Sequence, residues 1–531
     1  MRWPAPPGHR TRARRVTFLV FVAASLTMPF GAPTFDAWTW SQWSRLGGSL
    51  TFDPGSPTAW KPLPVLVMAA ARGAPALGLL FWTMVVRIAG VGTCVLAAVA
   101  VHSMRSSGGR SSGERSSPEW ASPRRSSPRR SSPERSSPER LSQARRSPVG
   151  ALIAAAGIVG LQHWVSASLE SGGDVVATAL VLSAVVAARA GRGLRATGDR
   201  ASPLVEMWPW IVPGAVAMVR PEGFALVALG CVIALRVRVA MRCRIALVAA
   251  GALAFGAWLI PALVTHDLRA GAGATSGSSV GRGSILSVTV RAGAVAGLPV
   301  AVGLLIAVLV AWARRRSFGR SLALSPRPTF TDVELASKAT RRLVVFAASA
   351  WVGAGVALAL AGAPIPGRSA LPAAALLVVI VGWSVDDALA RRASTGATGV
   401  DRTRGALAGL AGVVIVVAAV TGIPPQVRMV NHRAAESKAA RRATASAGGR
   451  ALGHMGEVCA PESLRAAIAD AVDVPVWRVC SGPGFATHGP GRGPLVVVDR
   501  VGVPSVPIPP GRPTGRVLVV QAGWSVTLIP A

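Results

Sequence analysis

Long apolar segments alternate with short polar, mostly basic segments along most of the chain. A helix needs about 20 apolar residues to cross the hydrocarbon core of a bilayer, and the pattern therefore predicts about eleven membrane-spanning helices. The predicted spans cover residues 16–30, 79–101, 149–166, 174–190, 204–219, 223–236, 244–264, 292–313, 343–363, 370–390 and 405–423. The predicted fold class is an all-α polytopic membrane protein, followed by a small C-terminal α/β domain.

Composition supports a membrane protein. The 531 residues have a mean hydropathy of +0.46, and only 15% of them are charged, whereas about a quarter are charged in typical soluble proteins. A net charge of +34 would suggest nucleic-acid binding if the basic residues shared one folded surface. They stand instead in short clusters between apolar segments, as in proteins that use Lys and Arg to set their membrane orientation. The expected surroundings are membrane lipids, with no nucleic-acid partner.

The basic clusters occupy alternate loops of the predicted bundle and therefore share one side of it. They fall in residues 1–15, 102–148, 189–200, 236–244, 314–320 and 391–404, whereas the intervening loops are poor in Lys and Arg. Positive charge accumulates on the cytoplasmic side, so we expect a plasma-membrane protein with a cytoplasmic N-terminus at 1–15 and an extracytoplasmic C-terminus. The start of the chain resembles a signal sequence, but the many later apolar segments favour an uncleaved first helix.

Residues 102–148 form a Ser-, Pro- and Arg-rich loop with a five-residue repeat over 116–140. Such a composition buries almost no apolar surface, and we expect a disordered cytoplasmic segment. A solvated linker that reinforces the topology is the simpler interpretation. A tether that binds anionic lipid or is tuned by phosphorylation is the functional one.

The chain after residue 423 contains no further apolar span, and 424–531 is predicted to be the extracytoplasmic α/β domain. Residues 461–472 have helical periodicity, whereas 495–499, 517–521 and 525–529 have the pattern of strands. Cys459 and Cys480 both fall in this domain. An oxidising compartment permits a disulfide between them, worth about 3 kcal/mol in the chain-entropy model; two buried free thiols are the alternative.

Charged residues at the outer ends of the spans are the candidates for chemistry, because polar groups at membrane depth are costly. Four groups stand out. The first is Asp36 after the first span, and the second is Lys61-Pro62-Leu63-Pro64 at the end of the first outer loop. The third is Glu170 with Asp174, between two later spans. The fourth consists of two arginine motifs, each just before a later helix: Arg220-Pro221-Glu222 and Gly367-Arg368.

This ordered set resembles the motifs of the polytopic glycosyltransferase C superfamily, in particular its protein-mannosyltransferase-like and aminoarabinose-transferase-like branch. The chain also resembles actinobacterial membrane proteins with a cysteine-containing outer C-terminal domain. The superfamily resemblance covers about residues 16–425 and implies transfer of a sugar from a polyprenyl-phosphate donor to an acceptor in the cell envelope: a glycan, lipid or protein. Such transfer requires a base for the acceptor hydroxyl and cations for the departing phosphate.

The resemblance also implies roles for individual residues. Asp36 would be the base, and Asp174 would orient the acceptor or share a divalent cation with it. Binding of the substrates would fall to the remaining charged residues of the motifs: Lys61, Arg220, Glu222, Glu170 and Arg368.

Each of these residues also has a structural interpretation. Asp36 could cap a following helix, Lys61 could snorkel at the interface, and Arg220 could neutralise Glu222. His163 is expected to be an interfacial residue. The sequence also departs from the family's motifs, for example at Ser369, where the family has Tyr. A second interpretation of the chain is therefore a non-catalytic relative that presents an outer binding domain. A transporter, with its site near the bilayer midplane, is the other alternative.

Overall fold

The computed structural model describes residues 37–41, 61–70, 75–105, 149–161, 163–196, 201–237, 239–265, 332–360, 367–392, 399–474, 478–480, 494–502, 506 and 513–530. The predicted spans 16–30 and 292–313, almost all of the 102–148 loop, and Asp36 lie outside these residues. The predictions made for them stay predictions.

The described part of the chain is mostly helical. Its helices are α1 (Pro62–Ala69), α2 (Pro75–Arg105), α3 (Val149–Val159), α4 (Trp164–Leu169), α5 (Gly173–Ala196), α6 (Pro203–Ala217), α7 (Gly223–Arg236), α8 (Met241–Thr265), α9 (Asp332–Leu360), α10 (Leu371–Arg392), α11 (Gly399–Ser446), α12 (Leu452–Met455) and α13 (Arg465–Val472). Short 3₁₀ helices occupy Gly367–Ala370, Gly449–Ala451 and Glu462–Leu464.

Six helices of the described residues are long and apolar enough to cross a membrane, namely α2, α5, α8, α9, α10 and α11. The expected count of about eleven is therefore not confirmed. Helices α6 and α7, with 15 and 14 residues, fall short of a full span. The predicted span 149–166 is interrupted, because α3 ends at Val159 and His163 takes a left-handed conformation before α4.

Helix α5 lies inside the bundle and packs against α2, α6, α9 and α10. Its first turns are buried on all sides, from Asp174 to Thr178. Some helices approach closely because glycine stands at the contact. A Cβ on Gly214 of α6 would lie only 2.5 Å from the backbone of Ala250 in α8. Close packing of this kind fixes the positions of the helix ends where the candidate residues lie.

Helix α11 does not end where the predicted span ends at residue 423. It continues through Pro424–Pro425 to Ser446, well into the segment assigned from the sequence to the C-terminal domain. A proline normally breaks a helix because it removes a hydrogen bond. Here the second half of the helix is held by tertiary packing, with Ala440 and Ala443 fully buried against the C-terminal domain.

The C-terminal part forms a five-stranded sheet, in the order β2-β1-β3-β5-β4. Its strands are β1 (Glu457–Cys459), β2 (Val479–Cys480), β3 (Leu495–Arg500), β4 (Arg516–Gln521) and β5 (Trp524–Ile529), close to the strands predicted at 495–499, 517–521 and 525–529. Strand β1 is parallel to β2 and β3, whereas β5 pairs antiparallel with β3 and β4.

The two cysteines of this domain are direct neighbours across β1 and β2. Cys459 pairs in register with Cys480, their Cα atoms are 4.4 Å apart, and their sulfur atoms face each other at bonding distance. The geometry therefore suits the pairing expected from the sequence. Its presence in the protein stays a prediction for a redox experiment.

Candidate functional site

Asp174 is the centre of a buried charge cluster at one end of the bundle. It lies in the first turn of α5, where the helix dipole favours a negative charge, and its side chain is fully buried. The Arg220 guanidinium forms an ion pair with Oδ1 through both Nε and Nη2. Nε of Arg368 lies 3.3 Å from Oδ2 of the same carboxylate. One carboxylate thus engages two arginines that are distant from it in sequence.

A tight turn between α6 and α7 directs Arg220 toward Asp174. Helix α6 ends at Ala217, and the N–H of Arg220 donates to the carbonyl of Val216. A Cβ on Gly223 would lie 2.5 Å from the backbone nitrogen of Ala217, so only glycine allows so close an approach. The Arg-Pro-Glu-Gly motif therefore has a local structural reason as well as a candidate functional one.

Lys61 lies beside this cluster. It precedes α1, with Pro62 at the first helical position, and its Nζ is 4.8 Å from the centroid of the Trp40 ring. A Cβ on Gly173 would lie 3.6 Å from Cη2 of the same ring, so Lys61 and the start of α5 share one neighbour. The N–H of Leu63 also donates to the carbonyl of Met218, which ties the lysine motif to the turn that carries Arg220.

Glu222 adds a second buried carboxylate near Arg220. Burial lowers the pKa of Arg220, but the charges of Asp174 and then Glu222 act against burial and leave the pKa above its usual value. Arg368 acts on the same guanidinium in the opposite direction. The Oε2 atom of Glu222 is buried and has no hydrogen-bond partner among the described residues. A buried oxygen without a partner is costly and is therefore a candidate contact for a polar ligand group.

Glu170 extends the cluster toward α11. Its Oε1 lies 3.0 Å from Nη1 of Arg433, which is in the part of α11 beyond the predicted span. Sequence reasoning missed Arg433, because the segment 424–435 was assigned to the start of a separate domain. No motif connects the two residues, which are 263 positions apart.

His163 is the second residue that the sequence gave no reason to place here. It is half-buried in the turn between α3 and α4, and burial, followed by the charges of Arg368 and Arg433, lowers its pKa. Gln426 braces this turn, since its Oε1 accepts from the N–H of Val165 at 3.1 Å. His163 is therefore near enough to the cluster for the charges of two of its arginines to affect its pKa.

The candidate site thus brings together seven described charged residues, six of which came from the sequence motifs. These are Lys61, Glu170, Asp174, Arg220, Glu222, Arg368 and Arg433. Asp36, the residue predicted to be the base, lies outside the described residues. Its position relative to these seven is therefore not described. The roles assigned to the individual residues stay predictions.

The donor set around Asp174 does not fit a divalent cation. Both of its carboxylate oxygens face guanidinium groups, and a cation in their place would meet two positive charges at close range. The described residues also contain no group of three or more His, Cys, Asp or Glu side chains that could hold a metal ion. The cluster suits an anion such as a phosphate, for which arginine is the preferred ligand.

Comparison with protein-family models and with curated protein sequences gives no match. Among solved structures, the chain is similar to ArnT from Cupriavidus metallidurans bound to undecaprenyl phosphate. The two chains are 12% identical, the match covers 98% of each, and the TM-score is 0.48.

Proposed function

We propose that the chain is an integral membrane glycosyltransferase that moves a sugar from a polyprenyl-phosphate donor to an acceptor of the cell envelope. The observation that carries the proposal is the convergence of Arg220 and Arg368 on Asp174, next to Lys61, at one end of an apolar helical bundle. A lipid phosphate has its charge at the membrane boundary and its tail in the hydrocarbon. A cation cluster at a bundle end is placed to meet such a headgroup.

Each group in the cluster has a role in this reaction. Arg220, Arg368 and Lys61 stabilise the negative charge that develops on the departing phosphate. Asp174 holds the two guanidinium groups in place before the donor arrives. Asp36 takes the proton of the acceptor hydroxyl as that oxygen attacks the anomeric carbon and the bond to the phosphate oxygen breaks.

The proposal includes an outward-facing site and an extracytoplasmic C-terminal domain. The distribution of basic residues over the loops supports this orientation, and the facing positions of Cys459 and Cys480 suit a disulfide, which an oxidising compartment permits. The basic residues after 423 do not oppose it, because long domains are translocated largely irrespective of charge. The orientation can be tested with a reporter enzyme that functions only in the cytoplasm, fused at the C-terminus. Activity of this reporter would contradict the orientation.

The test is donor turnover in proteoliposomes that contain the purified chain and a labelled polyprenyl-phosphate sugar. Arg368→Gln removes one charge from the proposed phosphate site. Its side chain is one-quarter exposed, so the fold tolerates the change better than at Arg220. We expect turnover to fall on the order of 100-fold, the usual cost of losing one such donor. The matched control is Arg242→Gln, an arginine paired with Glu206 outside the cluster, which should leave turnover unchanged.

Two outcomes would contradict the proposal. Equal turnover by Arg368→Gln and the wild type would remove the phosphate site from this cluster. No turnover of any polyprenyl-phosphate sugar by the wild type would favour the non-catalytic interpretation, or transport.

Transport is the second candidate function, and one observation favours it. Arg87 is almost fully buried in α2, ten residues from the first residue of the span Leu77–His102, which places it near mid-span. Ionisable residues at that depth often mark a substrate pathway. Uptake of solute into vesicles in proportion to the amount of protein, without donor turnover, would support this function instead of transfer.

A further inference from the structure

Residues 37–41 form a short helical segment, and all five of them are buried. A single helical turn is marginal by itself, so the position of this segment depends on its contacts with the rest of the fold. Its two tryptophans, Trp38 and Trp40, are two residues apart. The helical repeat places their side chains about 200° apart, on opposite faces of the turn. The segment is therefore held from two sides.

One face of the segment meets the candidate site. The Trp40 ring is fully buried, packs edge to face against Trp82 with the ring centroids 5.8 Å apart, and lies 4.8 Å from Nζ of Lys61. Trp82 donates through Nε1 to the carbonyl of Ser171 at 3.0 Å, in the turn before Asp174. Trp40 therefore contacts both the proposed phosphate-binding lysine and a ring that is fixed to the turn leading into Asp174.

The other face meets α11 and the C-terminal domain. Cζ of Arg441 lies 4.5 Å from the centroid of the Trp38 ring, and Nη2 of Arg441 lies 2.9 Å from Oδ2 of Asp470 in α13. A guanidinium can pair with a carboxylate through its edge while its flat face covers an aromatic ring. Within the described ranges, the indole N–H of Trp38 has no hydrogen-bond partner. Packing and the guanidinium therefore hold the ring, and the three residues together are named the Trp38 clamp.

We propose that Arg441 is a positioning residue of the transfer site: it holds Trp38 against the C-terminal domain and thereby keeps Trp40 and Lys61 beside the charge cluster. The inference rests on the proposed function, in which Lys61 stabilises the departing phosphate. Asp470 compensates the charge of Arg441, so a role through placement fits this arginine better than direct binding of an anion. The C-terminal domain is then a working part of the site, because it supplies the carboxylate of the clamp.

Labelling of lysine amines tests the clamp without a sugar donor. The chain contains three lysines, of which Lys61 is buried and Lys438 is exposed. A water-soluble amine reagent, read by peptide mass spectrometry, therefore has an internal reference. The test variant is Arg441→Gln in the full-length protein in nanodiscs. The matched control is Arg450→Gln, which removes an arginine that lies 3.3 Å from Asp473 in an exposed pair.

In Arg441→Gln the labelling of Lys61 relative to the reference lysine should rise severalfold, because a loosened segment opens the amine to solvent. Donor turnover should show a kcat lower on the order of tenfold, since a small displacement of a group that acts in the transition state is costly. The KM for the donor should change little, because Arg220 and Arg368 still bind the phosphate of the ground state. Arg450→Gln should match the wild type in both measurements.

Two variants of Trp38 keep the test decisive if Arg441→Gln does not fold. Trp38→Phe and Trp38→Leu both leave the ion pair between Arg441 and Asp470 in place. Phenylalanine offers the guanidinium an aromatic face, whereas leucine does not. Trp38→Phe should therefore retain more turnover and more protection of Lys61 than Trp38→Leu, and equal labelling of Lys61 in the two variants would overturn the inference.

Three other results would overturn it: unchanged labelling of Lys61 in Arg441→Gln, an equal rise of labelling in Arg450→Gln, or a higher donor KM at unchanged kcat. Failure of the proposed function gives a different result, because labelling requires no donor. No turnover of any polyprenyl-phosphate sugar by the wild type would remove the proposed function. Turnover that falls in Arg368→Gln but not in Arg441→Gln would remove this inference alone.

Discussion

Removal of the Asp174 carboxylate is the most direct perturbation of the charge cluster. Asp174→Ala leaves Arg220, which is only 6% exposed, without its main counter-charge in the interior. Breaking a buried ion pair from one side costs about 3–5 kcal/mol, because the remaining charge stays desolvated. Arg368 adds little to this figure, since its side chain is 25% exposed and keeps contact with water. The expected loss in the free energy of unfolding is therefore about 3–5 kcal/mol.

Equilibrium unfolding of the purified protein in mixed micelles measures this loss. Arg242→Gln is the matched control, because the Arg242 side chain is 51% exposed in its pair with Glu206; its cost should stay below about 1 kcal/mol. A compensated variant, Asp174→Leu with Arg220→Met, removes both charges together. Since paired buried charges are often replaceable by apolar residues, it should be more stable than Asp174→Ala.

Two results would refute this reasoning. If Asp174→Ala unfolded within 1 kcal/mol of the wild type, well under the cost of about 3–5 kcal/mol for a broken buried pair, the carboxylate would not be the counter-charge of a buried arginine. The second result concerns Asp174→Leu and Arg220→Met, measured one at a time. If the compensated variant lost as much stability as these two variants lose in sum, the two side chains would act independently and would not form a coupled pair.

Three further predictions follow from the packing and the charges. Cys459→Ser should lower the stability of the C-terminal domain by about 3 kcal/mol and change migration under non-reducing conditions; unchanged migration and melting would exclude the disulfide. Gly214→Ala should cost about 1–3 kcal/mol through overpacking against Ala250, whereas Gly256→Ala, with open space around it, should cause no loss and should gain up to about 1 kcal/mol from the higher helix propensity of alanine. His163 has a lowered pKa in the fold, so below pH 6.5 the unfolded chain binds a proton that the folded chain resists. Stability should therefore decrease as the pH falls through this range, and His163→Gln should flatten the decrease in pH-dependent melting.

The parts of the fold that follow from local pattern were predictable from the sequence. The short segments at 495–499, 517–521 and 525–529 lie close to β3, β4 and β5, because a short run rich in Val and Ile and bounded by turn residues is recognisable within a few residues. Lengths of apolar helices were less predictable. The interruption of 149–166 before His163 depends on a side chain of α11, Gln426, which holds the turn from a distant part of the chain.

The candidate site shows the same division. Lys61, Asp174, Arg220 and Arg368 came from short motifs at helix ends, and each of these residues lies at or beside the charge cluster in the structure. Arg433 could not be found in this way. Its position follows from the continuation of α11 beyond the two prolines, which neither helix propensity nor hydropathy indicates.

The continuation of α11 also explains how a small sheet is held beside the helical bundle. Arg433 contacts Glu170 in the bundle, whereas Arg441, two turns later, contacts both Trp38, in the short segment 37–41, and Asp470 of α13. A helix transmits position over this distance because its backbone hydrogen bonds leave little freedom between neighbouring turns. The C-terminal sheet is therefore held at a defined place relative to the charge cluster.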